Sequence, residues 1–144
     1  MPIRRENTLN NDKISLTLPS KLWSASIVRH VARDFLIFSG KADYIMIDDM
    51  EVAIGEAITN VVNHTYQRDE TQIISVYMKI EDGFFEVGIR DFGPKNMIDF
   101  ENYSPPPPTS ESGRGVVLIN SLVDEVKYKE TCRGNLLVLR RKIA

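Results

Sequence analysis

The chain has 144 residues and one cysteine, enough for a single domain over 1–144 with a core that needs no disulfide. Its formal net charge is −2 and its basic residues are scattered, which argues against direct nucleic-acid binding. No apolar run approaches the roughly 18 residues of a membrane span and no signal peptide opens the chain, so a cytoplasmic setting away from membranes is expected.

Ile14, Leu16 and Leu18 alternate with Ser15 and Thr17, the period-2 pattern of a half-buried strand. Pro19 and Ser20 then open a helix, with Ser20 as its expected cap. Trp23, Ile27, Val31, Phe35 and Phe38 recur at helical spacing and predict its core face, and Gly40 ends it. A second helix is predicted over 43–66, with Met46, Met50, Ala53, Ala57, Val61 and His64 as its apolar stripe. Glu56 and Asn60 lie at the edge of that stripe, one turn apart on a common face. Such a pair has two readings: an interior hydrogen-bonded pair, or oxygen donors suited to Mg²⁺ beside a phosphate.

Ile74, Val76, Met78 and Ile80 predict a strand, and Glu81-Asp82-Gly83 a hairpin turn. In the next strand Asp91 shares the parity of Phe85, Val87 and Ile89, so its carboxylate points to the buried side at the strand end. A backbone N–H or a ligand donor would satisfy it. Over 94–112 periodicity is lost, and four prolines at 105–108 favour an extended conformation, so a lid or binding loop is expected there. Gly113-Arg114-Gly115 then feeds a short helix, a geometry that lets backbone N–H groups approach phosphate. Arg114 is either a phosphate contact or a solvated loop charge. Val126 and Tyr128, then Leu136 to Arg141, predict two closing strands around a turn at Arg133-Gly134-Asn135.

The order of these pieces resembles the GHKL ATPase superfamily, and within it the small bacterial anti-sigma factor serine/threonine kinases. Glu56-Ala-Ile-Thr-Asn60 resembles the family's N-box, Arg90-Asp91-Phe92-Gly93 its adenine motif, and Ser112-Gly-Arg-Gly115 its phosphate motif. The resemblance implies an α/β two-layer sandwich of the Bergerat type, a mixed and mainly antiparallel sheet with helices on one face. It implies ATP and Mg²⁺ as cofactors. Glu56 would be the general base, Asn60 the Mg²⁺ ligand, and Asp91 the acceptor for the adenine amine. Gly93 would give close approach, and Gly113, Arg114 and Gly115 would hold phosphates. Asn135 stands where many relatives carry a threonine that helps bind adenine, and it can donate or accept there. The implied function is an anti-sigma factor that binds a sigma factor and phosphorylates an anti-anti-sigma partner of the STAS type, as a homodimer. The alternatives are an ATP-binding interaction module without phosphotransfer and a histidine-kinase-type catalytic domain. Against the latter, no phospho-acceptor helix pair precedes the first strand.

Overall fold

Alternating apolar residues build the sheet, and a computed structural model describes it over residues 12–94 and 114–143. Gly113, the prolines at 105–108 and the rest of the expected lid beyond Pro94 lie outside the described residues. The elements in chain order are β1 (Lys13–Pro19), α1 (Leu22–Ser39), α2 (Tyr44–Asn60) and a π-helical turn (Val61–Thr65). Then come β2 (Ile73–Glu81), β3 (Phe84–Asp91), α3 (Arg114–Leu122), β4 (Glu125–Glu130) and β5 (Asn135–Lys142). The strands form one sheet in the order β1-β2-β3-β5-β4, antiparallel in every described pairing. The expected two-layer sandwich is present.

Register follows the hydrophobic pattern. Leu16, Val76, Ile89 and Leu137 are cross-strand neighbours, and this inner face packs on Ile47, Met50, Ile54 and Ile58 of α2. A one-residue slip would turn every one of these side chains to solvent. The β2–β3 connection is a two-residue turn with Asp82 at φ 53° and Gly83 at φ 78°, matching the twist of the flanking strands. On the outer face the Tyr77 ring lies across Gly88, where a β-carbon would meet its Cε1 at 2.0 Å. Beside it Glu86 accepts from Tyr77 Oη at 2.8 Å and pairs with Arg140 Nε at 3.2 Å.

Three expectations for the helices are corrected. The core face of α1 is Ala25, Val28, Ala32 and Leu36, not the large-residue stripe. Trp23, Ile27 and Phe38 are exposed, Phe38 by 85%, while Val31 and Phe35 are shared at the flank. The small alanines fill the buried face and leave the bulky side chains outside. Ser20 is not the cap: Lys21 occupies that position without a side-chain bond, and the buried Ser20 hydroxyl has no partner among the described residues. His64 leaves the α2 stripe and is exposed, because the π turn inserts an extra residue and rotates the chain beyond it. The start of α2 is capped as its sequence suggests, Asp43 Oδ1 accepting from Met46 N at 2.8 Å.

Truncating one side chain from each face of α1 separates the two. Leu36→Ala is expected to cost about 2–5 kcal/mol in urea unfolding. Phe38→Ala should stay within about 0.5 kcal/mol of wild type. Equal costs would restore the large-residue stripe as the core face.

Candidate active site

Two groups of residues meet at the sheet end where β3 finishes and β5 begins. The first lies where α3 packs on α2. Glu56 and Asn60 sit on the rim of the buried face of α2, both half-buried as their spacing predicts. Gly115 occupies the first turn of α3 directly above them. A β-carbon at Gly115 would lie 2.8 Å from Glu56 Oε2 and 3.5 Å from Asn60 Oδ1. The missing side chain is therefore what allows the start of α3 to sit on the carboxylate–carboxamide pair. Among the described residues no hydrogen bond or ion pair engages the side chain of either Glu56 or Asn60. Arg114 opens α3 and is exposed.

The second group surrounds Asp91. This carboxylate is 3% exposed at the end of β3, on the buried parity read from the sequence. Its Oδ1 accepts from Gly93 N at 3.0 Å and from Asn135 Nδ2 at 2.9 Å. Both donors reach one oxygen, which leaves Oδ2 available as an acceptor. Burial pushes the carboxyl above its ordinary range, and the bonds from Asn135 and Gly93 oppose that rise. Asn135 is 1% exposed and directly opposite Asp91 in the β3–β5 register. Its amide also donates to Pro94 O at 2.9 Å and accepts from the Tyr128 hydroxyl.

The π turn joins the two groups. It starts at the residue after Asn60, and a β-carbon on Gly93 would meet Thr65 Cγ2 at 2.7 Å. Tyr66, next in the chain, accepts from Phe92 N at 2.6 Å and donates to Ile73 O at 2.7 Å. So Glu56, Asn60, Asp91, Gly93, Gly115 and Asn135 converge at one end of the sandwich, with Arg114 beside them. Gly113 lies outside the described residues.

Three supporting residues escape sequence reasoning. For Tyr66 and Tyr128 the available signal is a polar-tipped aromatic, whose hydroxyl seeks a partner when buried. Gly134 reads from sequence only as a turn residue. It sits at φ 93°, and a β-carbon there would lie 1.9 Å from Asp91 O, so it lets β5 start against the Asp91 backbone.

Among the described residues no group of three His, Cys, Asp or Glu side chains could hold an ion. A single carboxamide oxygen beside a carboxylate, below a helix start that favours anions, suits a cation that keeps its waters and borrows phosphate oxygens.

Known proteins resemble this chain in sequence and in fold. The histidine kinase-like ATPase domain family matches residues 18–141. A serine-protein kinase RsbW of Oceanobacillus iheyensis is 32% identical, covering 94% of this chain and 89% of its own length. A serine-protein kinase RsbW of Bacillus cereus is also 32% identical, over 81% of this chain and 76% of its own. Among solved structures, RsbU and RsbW domains from Mycobacterium tuberculosis superpose with a TM-score of 0.68 at 24% identity. That match covers 92% of this chain and 33% of the other. The histidine kinase domain of a blue-light activated kinase from Erythrobacter litoralis gives 0.57 at 13% identity, covering 88% and 62%. These two structures establish likeness of fold.

Asp91→Asn tests the acceptor assignment. Asparagine Oδ1 can keep both bonds while Nδ2 replaces the available oxygen with a donor. The folded-state pKa is raised, so the stability contributed by the protonated carboxyl is full below the ordinary 3.8 and is lost as pH rises through the folded value. At neutral pH the wild type therefore holds a buried carboxylate at a cost. The variant should melt at or above the wild-type temperature at neutral pH, with the gap closing on acidification. Calorimetry should show ATP binding weakened by about 1–3 kcal/mol. Unchanged ATP affinity would remove Asp91 as the adenine reader.

Proposed function

We infer that this chain, which belongs to the histidine kinase-like ATPase family, is an anti-sigma factor with ATP-dependent serine/threonine kinase activity. It binds a sigma factor and phosphorylates an anti-anti-sigma partner of the STAS type on a hydroxyl, in a partner-switching pathway. The curated relatives named as serine-protein kinases support the reaction class. The observation that carries the residue assignment is the first turn of α3 seated on Glu56 and Asn60 through the missing side chain of Gly115.

That geometry supplies what phosphoryl transfer requires, namely positioning and charge neutralisation. Backbone N–H groups at the start of α3, with Arg114 and Gly115, face the phosphates, and Gly113 completes the motif in sequence. Asp91 Oδ2 accepts from the adenine amine, and Gly93 keeps the nearby backbone close to the π turn. Asn60 would hold Mg²⁺, which would neutralise phosphate charge when bound with ATP. Glu56 takes the proton from the substrate hydroxyl as its oxygen attacks the γ-phosphorus, and ADP leaves. Asn135 acts at the nucleotide from behind Asp91, since its amide is committed to protein partners.

The protein works as one domain over 1–144, in the cytoplasm and as a homodimer. No helix among the described residues is long and apolar enough to cross a membrane, which is compatible with that setting. The exposed Trp23, Ile27 and Phe38 of α1 offer apolar surface to protein partners.

Transfer of labelled γ-phosphate to the partner separates a kinase from a nucleotide-gated binder. Glu56→Gln should keep ATP binding and lower transfer by roughly 10²–10⁴-fold. Asn60→Ala should instead weaken Mg²⁺-dependent ATP binding itself. Wild-type transfer in Glu56→Gln would leave the chain without its assigned base, and no transfer by wild type would favour the binding module.

Gly115→Ala gives an independent check. Alanine favours a helix over glycine by roughly 0.5–1 kcal/mol, so melting temperature should hold or rise. The new methyl must displace the Glu56 carboxylate, and transfer should fall by about 10²-fold. An active Gly115→Ala protein would show that the contact does not set the position of Glu56.

A further inference from the structure

Asp91 reads adenine only if one particular oxygen is presented as an acceptor, and three side chains decide that. Asn135 is buried with both ends of its amide engaged. Its Nδ2 donates to Asp91 Oδ1 and to Pro94 O, each at 2.9 Å. Its Oδ1 accepts from the hydroxyl of Tyr128, two residue pairs further along β4–β5 and so on the same face. A carboxamide is nearly symmetric in shape, so packing alone does not choose between its two orientations. Nδ2 has two acceptors on its side, and these select the orientation. The Tyr128 hydroxyl, which can donate or accept, here donates to the carbonyl end and anchors the amide in place. With the amide reversed, its carbonyl oxygen would face Asp91 Oδ1 and Pro94 O, acceptor against acceptor. Relief by rotation of Asp91 would move Oδ2 from the position in which it is offered as an acceptor.

We propose that Tyr128 is a positioning residue for nucleotide specificity: its hydroxyl locks the Asn135 amide, and the locked amide holds the Asp91 carboxylate with Oδ2 toward the base. This rests on the ATP-binding reading above and adds to it a residue on an edge strand that touches no nucleotide. Tyr128 is half-buried, so loss of its hydroxyl leaves the ring packing in place.

The test is a double-mutant cycle read as the ratio of ATP to GTP affinity, by calorimetry on the full chain. Wild-type preference for ATP is the control, and its absence would count against the ATP-binding reading rather than this one. Given that preference, Tyr128→Phe should reduce the ratio by about three- to tenfold, the worth of one hydrogen bond. Melting temperature should change little. Asn135→Leu should reduce the ratio at least as much, and adding Tyr128→Phe to it should reduce it no further, because the lock then has nothing to hold. An unchanged ratio in Tyr128→Phe overturns the proposal. So does a further loss in the double variant, which would show Tyr128 acting by another route. A merely structural tyrosine would lower ATP and GTP affinity together and leave the ratio alone. If Asn135→Leu does not fold, the ratio in Tyr128→Phe decides by itself.

Discussion

A carboxylate buried at the end of a central strand must be hydrogen-bonded or it will not stay charged, and one end of this molecule is arranged around that requirement. Asp91 is one of the few buried polar residues among those described, and it is satisfied by donors from two directions. One is local, the N–H of Gly93 just past the strand. The other is distant, the amide of Asn135, brought opposite Asp91 by the β3–β5 register. The apolar alternation that pairs Val87 with Leu139 and Ile89 with Leu137 fixes that register. Hydrophobic pairing in mid-sheet thus sets the electrostatics at the sheet end.

Close backbone approach is the second constraint, and it recurs around the site. Gly93 lies against Thr65, Gly115 against Glu56 and Gly134 against the Asp91 carbonyl, each where a β-carbon would come within 3.0 Å of its neighbour. These contacts tie the π turn, α3 and β5 to the same few residues. Only Gly134 needs its glycine for backbone conformation as well as for space.

Much of this is legible in the residues. Strand parity places Asp91 inward, helical spacing places Glu56 and Asn60 together on a rim, and the Asp82-Gly83 turn is visible as such. In α1 the misreading has its physical origin in side-chain size. The largest apolar residues point to one core face, whereas the buried face uses Ala25 and Ala32. Periodicity gives two neighbouring stripes here, and only the partner helix decides between them. Ser20 has the composition of a cap but is buried beside β1, where Ser24 Oγ instead donates to Pro19 O at 2.6 Å. The Tyr128–Asn135–Asp91 chain is out of reach for a different reason. It depends on which strands are neighbours, and Asn135 meets Asp91 across more than forty intervening residues.

The π turn has a consequence for how this chain can vary. Its backbone bond from Tyr66 N to Val61 O spans five residues at 2.9 Å, one more than an α-helix allows. An α-helix rotates by about 100° per residue, so removing one residue from Val61–Thr65 would restore the regular ladder and swing everything after it by that angle. Thr65 would leave Gly93, and Tyr66 would leave Phe92. Elsewhere a single-residue deletion on a surface loop is absorbed locally. Here it would act as a phase error between the Glu56–Asn60 and Asp91–Gly93 halves of the site, leaving α2 well formed and the two halves misaligned. Length in this segment is therefore as restrictive as residue identity, and natural variants of the chain should change its letters before they change its count.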